Sequence, residues 1–316
     1  MTDVADISVA VIYPGERVEK MLRPLKASRL TVALDPPDPY EYDFVVADNA
    51  DTDLGKEVLK KPFHDAHLIY RMRGDLWREL ELWDMPWHRK RAAEWVASHV
   101  DGVLAVTRRL ASKHAEKSGL ADWRRGAAGM WIEPENWPTV AHTDGELRAV
   151  TLTNMNYERK IEPIIEWAPI VDRVLSDVGG RWRIAGRGEH VERVQRSISD
   201  LHHVQYAGYV DARNELGCAN LMLHPSNLDG EPNAILEGMA SGLPVVTNHF
   251  EEFLRHDGPL IRTQHSGLEG RLQALADPDR RADWGEEGVA FVDAHKRPEQ
   301  VAREYERYFT EYVNHD

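Results

Sequence analysis

The feature that most limits the fold of this 316-residue chain is an alternation of short apolar runs and helical patterns that stops once and then restarts. The first run, Ile7–Tyr13, meets Pro14-Gly15 and then a helical spacing of Val18, Met21, Leu22 and Leu25, which predicts strand, glycine turn and helix. Thr31–Leu34, Phe44–Ala47, Leu68–Tyr70 and Gly102–Val106 repeat the strand signal, and a helix is predicted from Arg108 to Lys117. From Ile132 to Leu147 the pattern lapses into IEPENWPTVAHTDGEL, whose prolines, glycine and polar residues suit a linker. It resumes with strands at Ala149–Leu152, Trp182–Ala185, Val204–Tyr206, Leu221–His224 and Pro244–Thr247, and helices at Ile161–Leu175 and Ala234–Ala240. A last helix, from about Pro298 to Val313, carries Val301, Tyr305, Tyr308, Phe309 and Tyr312 on one face. Such alternation forms parallel sheets covered on both faces. The predicted organisation is α/β: a Rossmann-like domain over 1–146, a second over 147–297, and a C-terminal helix over 298–316 that packs back on the first. Ligands of doubly wound sheets bind beyond the carboxyl ends of the strands, so the expected site is a central cleft between the two sheets.

Asp and Glu outnumber Lys and Arg by 53 to 39, for a formal net charge of −14. That balance argues against general nucleic-acid binding, which needs a basic face. It still permits a phosphorylated small molecule held by a local cluster of cations and backbone N–H groups. The single cysteine, Cys218, excludes an internal disulfide and a cysteine metal site. The start, MTDVADISVAVIYPG, lacks the basic opening and apolar run of a secretory signal, and no stretch of about 18 apolar residues occurs, so the expected location is the cytoplasm. Residues 76–95 hold Trp77, Trp83, Trp87, Trp95 and Met85 beside the basic run His88-Arg89-Lys90-Arg91. The favoured reading packs these tryptophans onto the sheet; the competing readings are an acceptor groove and peripheral contact with the inner membrane face.

The densest information lies in HPSNLDGEPNAILEGMASGLPVVTN, residues 224–248. A strand ends at His224, a polar loop with Asp229-Gly230 follows, and Pro232 suits the first turn of a helix. The N–H groups of Glu231, Asn233 and Ala234 at that helix start make an anion site. Asp229 and Glu237 are carboxylates able to accept hydrogen bonds from sugar and ribose hydroxyls.

This segment resembles the signature of the retaining GT-B glycosyltransferases of family four. That signature is an acidic residue, seven residues, Glu, a small-residue helix and Gly-Leu-Pro-Val-Val. Here it reads Asp229, seven residues, Glu237 and GMASGLPVV, with Asp where Glu is usual and Glu231 where an apolar residue is common. The resemblance implies a GT-B fold, a UDP-, GDP- or ADP-sugar donor, and a glycan or lipid-linked acceptor. It also implies retention at the anomeric carbon with no metal or other cofactor. It places Asp229 on the donor sugar, Glu237 on the ribose, and Gly230, Glu231, Pro232, Asn233 and Ala234 around the donor. Arg159 falls at the family's lysine position with Lys160 beside it, and Asn154 stands where an arginine is usual. Cations there would neutralise the leaving diphosphate. Gly186-Arg187-Gly188 resembles the family's Gly-x-Gly, and Gly208-Tyr209-Val210 resembles the segment beside the nucleotide base. In the first domain, Gly15 follows the first strand, and Arg73 and Asp75 are candidate acceptor contacts in a strand-end loop. Two other readings stay open: a metal-dependent GT-A-type transferase using Asp51 and Asp53, and a non-catalytic or epimerase-like sugar-nucleotide binding protein.

Overall fold

The computed structural model describes residues 3–12, 19–47, 52–82, 86–143, 146–229, 231–248 and 258–316, with backbone alone at 19, 20, 52, 53 and 82. Gly15, Gly230, Asp51, Trp83 and Met85 lie outside the described residues. The chain divides into two compact units, one of residues 1–131 with 298–316, the other of residues 132–297.

The first unit runs β1 (Ser8–Ile12), α1 (Glu19–Ala27), β2 (Thr31–Leu34), β3 (Phe44–Ala47), α2 (Thr52–Lys60), β4 (His67–Met72), α3 (Leu76–Leu82), α4 (Trp87–Ser98), β5 (Gly102–Ala105), α5 (Arg108–Ser118) and β6 (Arg125–Ala127). Among the described residues these strands make a parallel sheet in the order β2-β1-β3-β4-β5-β6. Every residue of β3 and β5 is buried, the pattern of a sheet covered on both faces.

The second unit runs β7 (Leu147–Asn154), α6 (Glu158–Val178), β8 (Gly180–Arg187), α7 (Val191–Ser197), β9 (Val204–Gly208), α8 (Ala212–Cys218), β10 (Leu221–His224), α9 (Asn233–Ala240), β11 (Val245–Thr247), β12 (Leu260–Arg262), α10 (Leu268–Ala274) and α11 (Pro278–His295). Its sheet, again parallel, has the order β12-β11-β10-β7-β8-β9. The order reverses between β7 and β10, the place where doubly wound sheets open a crevice. Helix α6 tolerates Pro163 and Pro169 inside it, each costing about 3 kcal/mol in a helix interior. Burial of Ile161, Ile164, Trp167, Val171, Val174 and Leu175 offsets that cost.

The chain returns to the first unit as α12 (Pro298–His315), which packs against α1 and β6. Its buried stripe is Val301, Ala302, Tyr305, Tyr308, Phe309 and Tyr312. Phe309 and Tyr312 lie 4.7 and 5.3 Å from the Phe44 ring. Tyr308 lies so close to Gly126 that a Cβ there would collide with its ring.

The segment expected to be a linker is tied to the second unit instead. The Ile132 N–H donates to the Lys296 carbonyl (2.8 Å) and the Val140 N–H to the Ser241 carbonyl (3.1 Å). His142 Nε2 lies 2.8 Å from the Gly242 carbonyl oxygen. A turn of 3-10 helix at Pro134–Asn136 packs against α9 and α11. The tryptophans also divide: Trp77 packs inside, but Trp87 and Trp95 are exposed, contrary to the expectation that they cover the sheet. Among the described residues no helix is long and apolar enough to cross a membrane.

Candidate active site

The candidate site forms where β7 and β10 end side by side. β7 stops at Asn154, an exposed residue whose Oδ1 accepts the Asn156 N–H (3.0 Å) and turns the chain toward α6. Arg159 and Lys160 therefore sit in the first turn of α6. β10 stops at His224, and its loop is fastened at two points. The Ser226 N–H donates to Asn248 Oδ1 (2.8 Å), and the Asn227 N–H donates to the Arg159 carbonyl (3.1 Å). The second bond joins the two strand-end loops directly.

Asp229 stands at their meeting point. Its Oδ1 is 2.5 Å from Lys160 Nζ; its Oδ2 accepts from the Ser226 hydroxyl (2.7 Å) and lies 3.3 Å from His224 Nε2. Burial alone would raise this carboxyl, but the His224 hydrogen bond and the Lys160 ammonium outweigh burial and hold it well below the usual carboxylate range. Asp229 is thus ionised and oriented by three neighbours. The bond to Asp229 assigns the Nε2–H tautomer to buried His224, whose Nδ1 has no hydrogen-bond partner among the described residues.

Pro232 caps α9 from extended backbone, so the N–H groups of Asn233 and Ala234 belong to its unsatisfied first turn. Glu237 stands in the second turn, half-buried. The Glu231 carboxylate is committed to Lys296 in an ion pair whose side chains are only 2% and 4% exposed, so only its backbone remains for the helix start.

Beyond β7 and β10, the ends of β8 and β9 contribute a second group. The Gly186 carbonyl accepts the Tyr206 hydroxyl (2.9 Å), and the Arg187 guanidinium lies 4.5 Å from the Tyr209 ring. Tyr209 is 73% exposed and Val210 partly so. Gly188 has φ 150°, and a Cβ there would strike the backbone at Met155 and Asn156, so this glycine lets β8 nest against the loop after β7. Asn154 and Arg187 are register partners on β7 and β8.

Arg73 and Asp75 belong to the first unit. Asp75 is buried: both oxygens meet Lys113 Nζ (2.9 and 2.7 Å), and Oδ1 accepts the Arg78 N–H (3.1 Å). Its carboxylate caps α3 rather than standing open as an acceptor contact, and Arg73 beside it is partly exposed. The two parallel sheets contradict the GT-A-type fold of the alternative reading; Asp51 and the side chain of Asp53 are not described. A separate pocket, lined by Arg148, Arg181, Arg183, Glu215 and Cys218, lies at the amino ends of β7 and β8, away from these loops. The sequence reading missed His224, Ser226 and Lys296. His224-Pro225-Ser226, immediately before the acidic loop, is the signal that could have found the first two.

The family model of the glycosyl transferases group 1 matches residues 147–278. Over 310 residues the chain is 32% identical to a viral protein, ORF31 of the isolate Australia/Victoria, provisionally named a glycosyltransferase; the match covers 98% of each chain. Sucrose-phosphate synthase from Thermosynechococcus elongatus has a similar structure, with a TM-score of 0.70 at 13% identity, over 98% of this chain and 100% of that one. TarM of S. aureus, in complex with Fondaparinux, alpha-GlcNAc-glycerol and UDP, gives 0.65 at 16% identity, over 84% of this chain and 55% of its own. The pneumococcal O-GlcNAc transferase GtfA, in complex with UDP and GlcNAc, gives 0.59 at 15% identity, over 86% of this chain and 57% of its own. The chain thus spans a little over half the length of the latter two.

Proposed function

The chain belongs to the group 1 glycosyltransferases, with a GT-B fold, and from that premise we propose that it transfers a sugar from a nucleotide-diphosphate donor with retention and without a metal ion. The observation that supports the donor reading best is the Lys160–Asp229 pair at the reversal of strand order, beside the start of α9. The diphosphate takes the N–H groups of Asn233 and Ala234 and draws Lys160 from Asp229, and Arg159, next in the chain, adds a second cation. Asp229, still oriented by His224 and Ser226, then accepts from a hydroxyl of the donor sugar, and Glu237 accepts from the ribose. Asn154 and Gly186, at the carboxyl ends of β7 and β8, border the donor, and Arg187 with Tyr209 and Val210 offers a surface to the base.

The acceptor hydroxyl attacks from the face that the diphosphate leaves, through an oxocarbenium-like state. As the bond from the anomeric carbon to the diphosphate breaks, the bond to the acceptor oxygen forms, and a leaving phosphate oxygen takes the acceptor proton. Lys160 and Arg159 stabilise the charge that develops on the leaving group. The acceptor class proposed is a glycan or a lipid-linked sugar. UDP stands in the TarM and GtfA complexes, so UDP-sugars are the first donors to test, followed by GDP- and ADP-sugars.

Thermal melts with each nucleotide sugar identify the donor: saturation at 100 times Kd stabilises the fold by about 2.7 kcal/mol. With the donor known, NMR of the product reads the anomer. An inverted product, or turnover abolished by EDTA, overturns the retaining and metal-free reading.

A further inference from the structure

Exposed apolar side chains of the first unit gather on two neighbouring elements. Helix α2 continues into a 3-10 turn at Lys61–Phe63, and both α2 and this turn are close to α4 and its end. A Cβ on Gly55 of α2 would sit 3.3 Å from Val96 Cγ2 of α4, and Lys61 Nζ lies 3.4 Å from the His99 carbonyl oxygen. The His99 ring in turn lies 4.4 Å from Trp95. On this connected surface Phe63 is 87% exposed, Trp87 76%, Leu59 65% and Trp95 43%.

The face is patterned. Val96 and Ala97 are the buried residues of α4. At about 100° per residue, Trp87, His88, Arg91 and Trp95 fall on the opposite side, and all four are exposed. Cations interleave with these apolar groups: Arg91 on α4, Lys56 and Lys60 on α2, all exposed. Over residues 87–98 three Lys and Arg residues face one Glu, in a chain whose formal charge is −14.

Exposed aromatics with cations around them match the boundary of an anionic bilayer. Rings enter the headgroup–acyl boundary while the cations remain at the phosphates. A second copy of the same face would set these cations against one another, which disfavours self-association. We propose that this face of the first unit docks on an anionic lipid surface, with Phe63 and Trp87 as the inserted side chains.

The test is co-sedimentation of the full chain with vesicles of phosphatidylcholine alone or mixed with phosphatidylglycerol, in about 0.1 M salt, where the Debye length is about 10 Å. No sugar nucleotide or acceptor is present, so the result is independent of the transfer reaction. The expected result is binding to the phosphatidylglycerol vesicles, little to phosphatidylcholine, and release at about 1 M salt. Phe63→Ala/Trp87→Ala should weaken binding at least tenfold. Lys56→Ala/Arg91→Ala should weaken it roughly 25-fold, at about fivefold per cation. All four positions are exposed, and melting temperatures equal to that of the unchanged chain confirm that the variants fold. Failure to bind anionic vesicles, equal binding to phosphatidylcholine, or variants that bind like the unchanged chain would overturn the proposal. A dimer in solution that Phe63→Ala/Trp87→Ala abolishes would also overturn it and assign the face to a second copy.

Discussion

Asp229 shows how neighbours define a carboxylate. Lys160 takes one oxygen, and Ser226 and His224 hold the other. If Lys160 serves the leaving diphosphate, Lys160→Ala should lower kcat by about 10²–10³ with saturating donor, the scale for loss of one preorganised charge-stabilising group. Steady-state kinetics check this, and an unchanged kcat would remove Lys160 from the mechanism. The depressed Asp229 carboxyl also has a thermal signature. Its contribution to stability is complete above the unfolded value of about 3.9, and it is lost as pH falls below that value toward the lower folded one. The gap in melting temperature between the unchanged chain and Asp229→Asn should therefore be widest near neutrality and narrow as pH drops toward about 3. Asp229 is legible as the first carboxylate of the motif that ends at Glu237, and Lys160 only as the neighbour of Arg159 at the family's lysine position. For His224 and Ser226 the sequence offers only their place just before the acidic loop, and the turn that brings both to Asp229 is visible in the structure alone.

Among the elements, legibility follows the apolar pattern rather than length: three-residue β11 lies within the run Pro244–Thr247, whereas 18-residue α11, with Gly285 and Gly288 inside it, carries no clear apolar stripe. α6 was visible despite two prolines, since its apolar period persists along all 21 residues. β6 (RGA) and β12 (LIR) give alternation too little to register, whereas β11, equally short, is announced by Gly242-Leu243-Pro244 before it. α5 carries a buried group with a pH consequence. His114 packs 5.5 Å from Tyr70 and 5.6 Å from Trp77, neither of its ring nitrogens makes a hydrogen bond among the described residues, and burial pushes its imidazole down to about 4. Stability from the neutral ring is complete above the unfolded value of 6.5 and is lost as pH falls toward 4, by up to about 3 kcal/mol. His114→Leu should therefore lose fewer degrees of melting temperature than the unchanged chain between about pH 7.5 and 5. Equal losses would show that folded His114 takes up its proton near the unfolded value of 6.5, so that burial does not depress it. A second element-scale coupling runs through Lys296 and Glu231. The pair fastens the loop that opens α9 to the end of α11, where the Ile132 N–H also binds the Lys296 carbonyl. Lys296→Met removes the cation that faces a buried carboxylate, at a cost of about 3–5 kcal/mol, whereas Glu231→Leu/Lys296→Met should recover most of that stability. Amide exchange in Lys296→Met should quicken at 231–236 and 132–137 together; faster exchange at only one of them would deny the coupling.

At the scale of the whole molecule, the restart of strand–helix alternation after residue 147 made the two-sheet α/β fold legible, because buried parallel strands need apolar runs that no loop supplies. The expected linker was harder to read. Its prolines and polar residues suit a spacer, yet its backbone bonds to Ser241 and Lys296 tie residues 132 to 140 to the second unit. The first unit is discontinuous, and α12 completes its core. Val301, Tyr305, Tyr308, Phe309 and Tyr312 are each buried, at about 1.5–3 kcal/mol for an apolar side chain of such size. Together they approach the whole stability of an ordinary domain, about 5–15 kcal/mol. Losing α12 would also strip buried Arg71 of the Tyr305 hydroxyl that accepts its Nε–H (3.1 Å) and expose the Phe44 face of the sheet. A chain ending at Arg297 keeps every residue of the second unit and lacks this helix. Calorimetry of that chain should show the second unit melting by itself, with the heat absorbed by the first unit gone and its amides exchanging freely. Retention of the full melting enthalpy would mean that α12 only decorates a core closed without it.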